Sequence, residues 1–201
     1  HGTGGELSVT NARLQRPICD AWVQAAQSAG HAFNEDYNGE TQEGVGYFQL
    51  TVRDGMRCSA AKAFLKPAKN RSNLTITTRA ATQRVVIEEG VAVGVIYKDR
   101  SGREIEMRAK REVILSAGAI GSPQLLMLSG IGPKDHLAEH GIETIVDRPA
   151  VGENLQDHLQ ARVVFKTKEP TLNDEVRSLF DQAKIGIQYA LTRTGPMTMA
   201  A

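Results

Sequence analysis

Residues 113–132, VILSAGAIGSPQLLMLSGIG, decide the fold that the sequence predicts. The apolar run Val113–Leu115 has the length and composition of a short buried strand. Small side chains follow it, and then Ser122 predicts an N-cap with Pro123 at the first helical position. Three leucines give the helix an apolar side, and the helix is expected to end at Gly130. The stretch therefore predicts a strand, a turn with little side chain, and a helix. Such a turn lets a ligand approach the main chain closely.

The same stretch resembles the second signature of the glucose-methanol-choline (GMC) family of FAD-dependent oxidoreductases. The matching residues are Gly118-Ala119, Ser122-Pro123, Leu125-Leu126 and Ser129-Gly130-Ile131-Gly132. Further segments follow in the family's order: residues 1–7 (HGTGGEL), 57–65 (RCSAAKAFL), 73–76 (NLTI) and 151–158 (VGENLQDH). The resemblance covers essentially the whole chain and is nearest to the choline and aliphatic-alcohol dehydrogenases.

The resemblance implies an α/β fold of mixed α+β character, comprising a partial FAD-binding domain with a β-meander and the start of a substrate-binding domain. Residues 1–56 are expected to be helical and loop-like, near the substrate side. Residues 57–158 would be the middle of the FAD-binding domain, and residues 159–201 would begin the substrate-binding domain. The chain starts without methionine and stops just after a Gly-Pro pair, so we expect an internal segment of a larger enzyme.

Composition is that of an ordinary globular protein. The 201 residues are 41% hydrophobic, and 24 basic against 23 acidic side chains give a net charge of +1. This balance does not favour nucleic acid or an anionic membrane as a partner. No apolar run is long enough for a transmembrane segment, and no signal peptide opens the chain. Cys19 and Cys58 are interpreted as reduced thiols of a cytoplasmic protein.

Periodicity and turn residues predict the remaining elements. Helices are predicted at 17–29, 60–65, 133–140 and 176–194, and strands at 74–78, 84–87, 91–97, 104–108, 142–146 and 162–166, with loop at 147–157. Trp22 is expected to pack in the core, and residues 91–96 to be well buried. Ser59 is the predicted cap of the second helix and Pro67 its end. Tyr47 and Phe48 are expected to pack on a strand, although the resemblance also allows them to line a substrate cavity.

The central turn is the best candidate for a cofactor site, because open α/β sheets place dinucleotides where a buried strand ends. The resemblance implies FAD contact from Ala117 and Gly118. It also implies main-chain contact with adenine from Ala81 and Thr82, where many relatives carry Val at the second position. Asn154 and Asp157 either contact the cofactor or hold their loop by side chain–backbone bonds.

Three other motifs contain residue types that could carry chemistry. Gly2-Thr-Gly4-Gly5 lacks a preceding strand and a complete glycine fingerprint, so it indicates a turn rather than a phosphate loop. The segment 136–140 reads H-x-x-E-H, an inverted zinc-protease motif, but no third ligand is identifiable and a surface helix is preferred. His158 suits a general base chemically. However, the family's catalytic histidine lies in a C-terminal segment that this chain lacks, so no catalytic residue and no metal ligand is assigned.

The resemblance therefore implies an FAD-dependent enzyme that oxidises a primary alcohol or choline-like substrate by hydride transfer to flavin. The 201 residues lack the N-terminal G-x-G-x-x-G unit and are expected to be inactive alone. The alcohol, the electron acceptor and the oligomeric state stay open. A hydroxynitrile lyase on the same scaffold, a zinc hydrolase, and a non-catalytic nucleotide-binding fragment are the alternatives.

Overall fold

The structure is a computed structural model, and it describes residues 2–199. The helices are α1 (Pro17–Ser28), α2 (Lys66–Ala68), α3 (Gly118–Leu128), α4 (Lys134–Glu139), α5 (Leu172–Glu175) and α6 (Leu179–Thr192), with a π-helical turn at Ala61–Leu65 and a 3-10 turn at Pro196–Thr198. The strands are β1 (Val52–Arg53), β2 (Met56–Arg57), β3 (Ala81–Glu88), β4 (Val91–Lys98), β5 (Glu104–Arg108), β6 (Ile131–Gly132) and β7 (Val146–Asp147). His1 of the opening motif lies outside the described residues.

The chain divides into two compact units. One comprises His1–Thr75 with Val163–Ala201, and the other comprises Ile76–Arg162. Helices occur together with small sheets, which confirms the predicted mixed α/β class. The predicted domain boundaries after residues 56 and 158 remain a prediction.

An antiparallel meander, in the order β3-β4-β5, forms the sheet of the second unit. Its strands contain the predicted segments 84–87, 91–97 and 104–108. The β3–β4 turn needs positive φ at two consecutive residues, and Glu89 and Gly90 adopt 49° and 80°. The expectation that residues 91–96 are well buried is wrong, since only Gly94 is buried and Val91 is 59% exposed. Helix α3 packs against β3 rather than over β4, so β4 keeps solvent access.

Helix α3 begins five residues earlier than predicted. Gly118 is its first residue, so Ser122 and Pro123 lie inside it. The Ser122 hydroxyl accepts a hydrogen bond from the main-chain N–H of Ala117 at 3.1 Å, and so it reaches back to the turn instead of capping the next turn of helix. The predicted strand Val113–Leu115 is not formed, because a strand needs a hydrogen-bonded neighbour and this segment has none among residues 2–199. Ile114 is 75% exposed.

The end of α3 is fixed to the meander by one buried residue. Ser129 is 5% exposed, and its hydroxyl oxygen accepts a hydrogen bond from the N–H of Val85 at 2.8 Å. The same hydroxyl donates to the carbonyl of Leu125. Val85 lies on β3, which is an edge strand, so its N–H has no partner strand on that side within the described sheet. Ser129 therefore satisfies a donor that would otherwise be buried without a partner.

The chain then makes a small parallel crossover. Strand β6 pairs with β7 through Ile131–Val146 and Gly132–Asp147, and α4 connects them. Helix α4 confirms the predicted helix at 133–140 with slightly shorter bounds, and its Leu137 is fully buried. The strand predicted at 142–146 is reduced to β7, because the ladder with β6 includes only Val146 and Asp147.

In the other unit, α1 confirms the predicted helix but buries a different residue. Val23 is buried, whereas Trp22 is 66% exposed, so the predicted core role of Trp22 is wrong. Tyr47 lies outside the strands and donates its hydroxyl hydrogen to Asp20 on α1 at 2.6 Å. The Arg16 guanidinium binds both carboxylate oxygens of Glu175, which ties the start of α1 to α5. Polar bonds therefore hold α1 where apolar packing was expected.

Other boundaries in this unit also differ from the predictions. The Ser59 hydroxyl accepts from the N–H of Lys62 at 3.4 Å as expected of a cap, but the helical segment runs through Pro67 to Ala68. Pro67 lies in the first turn of α2, where proline is tolerated. The predicted strands at 74–78 and 162–166 pair with no described strand. The helix predicted at 176–194 is α6, which begins later because Ser178 accepts from the N–H of Asp181 at 3.1 Å.

Replacing Ser129 with alanine should lower the free energy of unfolding by about 1–3 kcal/mol, because the buried N–H of Val85 loses its acceptor. Ser28→Ala is the matched control, since the Ser28 hydroxyl is exposed and bonds only to Gln24 of its own helix. Its effect should stay within about 0.5 kcal/mol. Denaturant unfolding of both variants measures the difference, and equal effects would contradict the role given to Ser129.

The hydrogen bond to Asp20 raises the pKa of Tyr47 to about 12. The folded chain then holds the phenol proton more tightly than the unfolded chain, whose tyrosines titrate near 10. The stability gained from this bond should be complete below about pH 10 and be lost as the pH rises towards 12. Asp20→Asn should lower the pKa of Tyr47, as followed by tyrosinate absorbance, and Tyr47→Phe assigns the signal. An unchanged titration in Asp20→Asn would contradict the assignment.

Candidate functional site

A cleft of about 920 Å³ lies within the unit Ile76–Arg162. Its walls come from one side of α3, from α4 and from the loop that follows β7. The lining residues are Ala119, Ile120, Pro123, Gln124, Met127, Leu128, His136, Leu137, His140, Ile142, Gly152, Glu153, Asn154, Leu155 and Gln156. The cleft is therefore lined by residues from two of the segments that carry the family resemblance, 113–132 and 151–158.

One face of α3 forms the apolar floor of the cleft. Ile120, Pro123 and Met127 recur at helical spacing along it. The loop contacts this floor at Gly152, whose φ is +87°. A Cβ atom at that position would lie 2.5 Å from the Cε of Met127, so a larger residue would displace the end of the Met127 side chain and would be strained at this φ. Gly152 and Met127 therefore pack closely at the cleft, and neither was predicted as a site residue.

The turn before α3 lies at one end of this floor. Ala117 and Gly118 immediately precede Ala119, which is the first cleft-lining residue of α3. Gly118 has φ +82°, and a Cβ atom built there would meet no atom within 4 Å. The space above the main chain at this turn is therefore open, as the sequence predicted for a close approach by a ligand. The N–H of Ala117 is already bonded to Ser122, and as the N-cap residue Ala117 uses its carbonyl for the first hydrogen bond of α3. The first N–H groups of the helix have no partner within α3 and are the main-chain groups left for a ligand.

The loop residues predicted as cofactor contacts are separated by the structure. Asn154 lines the cleft and has a left-handed backbone with φ +56°. Asp157 does not line the cleft, and its carboxylate accepts from the N–H of His158 at 2.7 Å. Asn154 thus lies at the cleft wall, whereas the carboxylate of Asp157 bonds to the main chain of the next residue, and the roles of both residues remain predictions.

The meander residues lie apart from the cleft lining. Ala81 and Thr82 are exposed at the start of β3, where they pair with Lys98 and Tyr97 of β4. The carbonyl of Ala81 accepts from the side-chain amide of Gln83 at 2.8 Å. The β3–β4 register shifts just after Thr82, which is a β-bulge. Because β3 is an edge strand, main-chain groups on its outer side remain available near these two residues.

The histidines of the H-x-x-E-H segment both line the cleft. The rings of His136 and His140 lie edge to face, with centroids 4.8 Å apart and planes at 79°. Both residues are exposed, in keeping with the predicted surface helix. Across residues 2–199, no group of three or more His, Cys, Asp or Glu side chains is arranged to hold a metal ion. The described residues therefore do not supply the three-ligand centre that the zinc hydrolase alternative requires.

Comparison with known proteins identifies the family. A model of the GMC oxidoreductase family matches residues 3–160. An oxygen-dependent choline dehydrogenase from Brucella suis is 45% identical over 196 residues, which are 96% of this chain and 35% of that protein. An alcohol dehydrogenase (acceptor) from Pseudomonas putida is 41% identical over 200 residues, 98% of this chain and 36% of that protein. The chain therefore belongs to the GMC oxidoreductase family.

Solved structures agree with this assignment. An FAD-dependent oxidoreductase from Chaetomium thermophilum superposes with a TM-score of 0.86 at 26% identity, covering 98% of this chain and 35% of that chain. The chain thus spans about a third of the length of the relatives that it matches. In the part of the chain that is described, we find no helix long and apolar enough to cross a membrane.

Gly118→Ala should reduce both stability and FAD content of the protein made from its complete reading frame. An L-residue at φ +82° costs about 1–2 kcal/mol, and the added methyl group enters the open space above the turn. Gly186→Ala is the control, because Gly186 lies inside α6 with nothing within 4 Å of its added Cβ. The control should keep full FAD content and gain up to about 1 kcal/mol. Full FAD content in Gly118→Ala would contradict a cofactor role for the turn.

Proposed function

We propose that this chain is part of an FAD-dependent oxidoreductase that oxidises a primary alcohol or a choline-like substrate by hydride transfer to flavin. The observation that carries the proposal is the family match over residues 3–160, which includes the turn, the helix and the loop around the cleft. Relatives named choline dehydrogenase and alcohol dehydrogenase, at 45% and 41% identity, support this class of substrate.

We propose that six residues of the unit Ile76–Arg162 serve a dinucleotide cofactor, five by contact with FAD and Asp157 by holding a loop. Ala117 and Gly118 offer a main chain with no side-chain obstruction, and Asn154 offers an amide at the cleft wall. Ala81 and Thr82 would contact adenine through the main chain of an edge strand, and Asp157 would hold the loop of Asn154 in place. When bound, FAD supplies the acceptor for the hydride.

The contribution of the described residues is to bind and orient the cofactor. Alcohol oxidation also needs a base for the hydroxyl proton. His158 is exposed and does not line the cleft, so nothing in its position favours it as that base. We therefore propose that the base lies elsewhere in the full-length protein and that the 201-residue chain has no turnover alone. The electron acceptor stays open among oxygen, a quinone and a carrier.

Exposed apolar side chains in residues 113–132 support the proposal that this chain is part of a larger protein. Ile114 and Ile120 are 75% and 74% exposed although their neighbours form the most specific motif of the chain. Burial of such side chains is worth about 1.5–3 kcal/mol each, so a folded enzyme is expected to cover them. A cytoplasmic location is part of the proposal, and it accords with the free thiols of Cys19 and Cys58.

The proposal is tested with the protein made from its complete reading frame, purified and assayed anaerobically with choline and with a series of primary alcohols. Bound FAD should bleach on addition of the substrate, because hydride transfer reduces the flavin. The 201-residue chain under the same conditions should reduce no dye. FAD that stays oxidised with every alcohol would favour the hydroxynitrile lyase alternative, and protein without FAD would favour the non-catalytic fragment. Dye reduction by the 201-residue chain would contradict the predicted inactivity.

A further inference from the structure

His136 and His140 lie next to each other at the wall of the cleft, and the proposed flavin chemistry gives neither of them a role. We propose that the two imidazoles together bind one divalent transition-metal ion, of the kind represented by Zn²⁺ and Cu²⁺. The inference is independent of the proposed function, because it rests only on the positions of two side chains on α4.

The spacing of the two rings fits a shared ion. Two imidazoles bound to one ion at about 2.0–2.1 Å, with angles from about 90° to tetrahedral, place their ring centroids roughly 4.5–5.2 Å apart. The observed separation is 4.8 Å, with the planes at 79°. A chelate therefore requires rotation of the rings about their side-chain bonds, and no displacement of the helix.

The backbone that carries the rings is held in place before any ion binds. Leu137, the residue next to His136, is fully buried, and its N–H donates to the carbonyl of Pro133 at 2.9 Å. The N–H of His140 donates to the carbonyl of Leu137 at 3.1 Å. His136 lies within α4 and His140 at its C-cap, about one helical turn further on, and the buried Leu137 between them anchors this segment. Little backbone conformational entropy is therefore lost when both bind the same ion.

The ligand set decides which ions would bind. Imidazole nitrogen suits Zn²⁺, Ni²⁺ and Cu²⁺, whereas Mg²⁺ prefers oxygen ligands. Within residues 2–199 no third His, Cys, Asp or Glu completes the set, so water would fill the other positions. Two protein ligands make an exchangeable site at the cleft wall rather than a closed structural centre. The order of affinity should follow Cu²⁺ above Zn²⁺.

The test is calorimetric titration of Zn²⁺, Cu²⁺ and Mg²⁺ into the protein from its complete reading frame, prepared without a histidine tag. We expect one equivalent of Zn²⁺, tighter binding of Cu²⁺ and no binding of Mg²⁺. His136→Ala and His140→Ala should each weaken Zn²⁺ binding at least about tenfold. Both residues are exposed, so the fold should be retained, which circular dichroism checks.

Two controls separate this pair from histidine in general. His31→Ala removes an exposed histidine from the other unit and should leave Zn²⁺ binding unchanged. The double change Ala138→His with His140→Ala keeps the number of histidines but spaces them two apart, on different sides of α4, and should bind as weakly as His140→Ala. Absence of Zn²⁺ binding by the unchanged protein, or undiminished binding by His140→Ala or by the double variant, would overturn the proposal.

Discussion

The hydrogen bond from the N–H of Val85 to the hydroxyl of Ser129 is the contact on which the geometry of the cleft depends. It joins the edge strand of the meander to the end of α3, and α3 is the floor of the cleft. An edge strand that is buried against a helix leaves donors that the helix backbone cannot accept, since its own carbonyls are bonded internally. A serine directly after the last turn solves this problem, because its hydroxyl accepts from the strand and donates to α3 at the same time.

After Ser129 the chain makes a turn whose backbone conformation is easily adopted only by glycine. Gly130 has φ +79°, and a Cβ atom there would lie 2.6 Å from the carbonyl oxygen of Glu143. The close approach lets β6 pair with β7, and the pairing brings the loop after β7 back over α3. Gly152 then allows that loop to contact Met127. Two glycines and one serine therefore lie at the close contacts along the path from α3 to the loop that carries Asn154.

The sequence predicted the elements that local physics controls. The helix that became α4 and the strands of the meander follow from turn residues and periodicity within a few residues. The start of α3 was predicted five residues late, because Ser122 and Pro123 carry the usual signals of a helix start. Instead, the Ser122 hydroxyl reaches back to Ala117. The Ser122 hydroxyl can bond either to the helix that follows it or to the turn that precedes it. The choice depends on the φ of Gly118, and a one-dimensional pattern does not contain that angle.

Errors of burial have a different origin. Trp22 and Val23 are adjacent on α1, and the helical pattern predicted the face that carries Trp22, whereas the structure buries Val23. An amphipathic pattern records which side chains are apolar, but the neighbouring elements decide which of them are covered. Here α1 is positioned by Tyr47–Asp20 and Arg16–Glu175, which are pairs of residues far apart in sequence.

The same argument applies to the central stretch and to the candidate site. Residues 113–115 have the composition of a buried strand, and nothing among the described residues pairs with them. The composition of a segment indicates whether it is suited to a buried position. Whether it forms a strand depends on other segments of the chain, which must provide its hydrogen-bonding partners. In the turn that follows, Gly118 has a left-handed φ, and an added Cβ atom would meet no atom within 4 Å. The glycine at this position was recognisable from the sequence, whereas its φ and the surfaces around the turn depend on the three-dimensional structure.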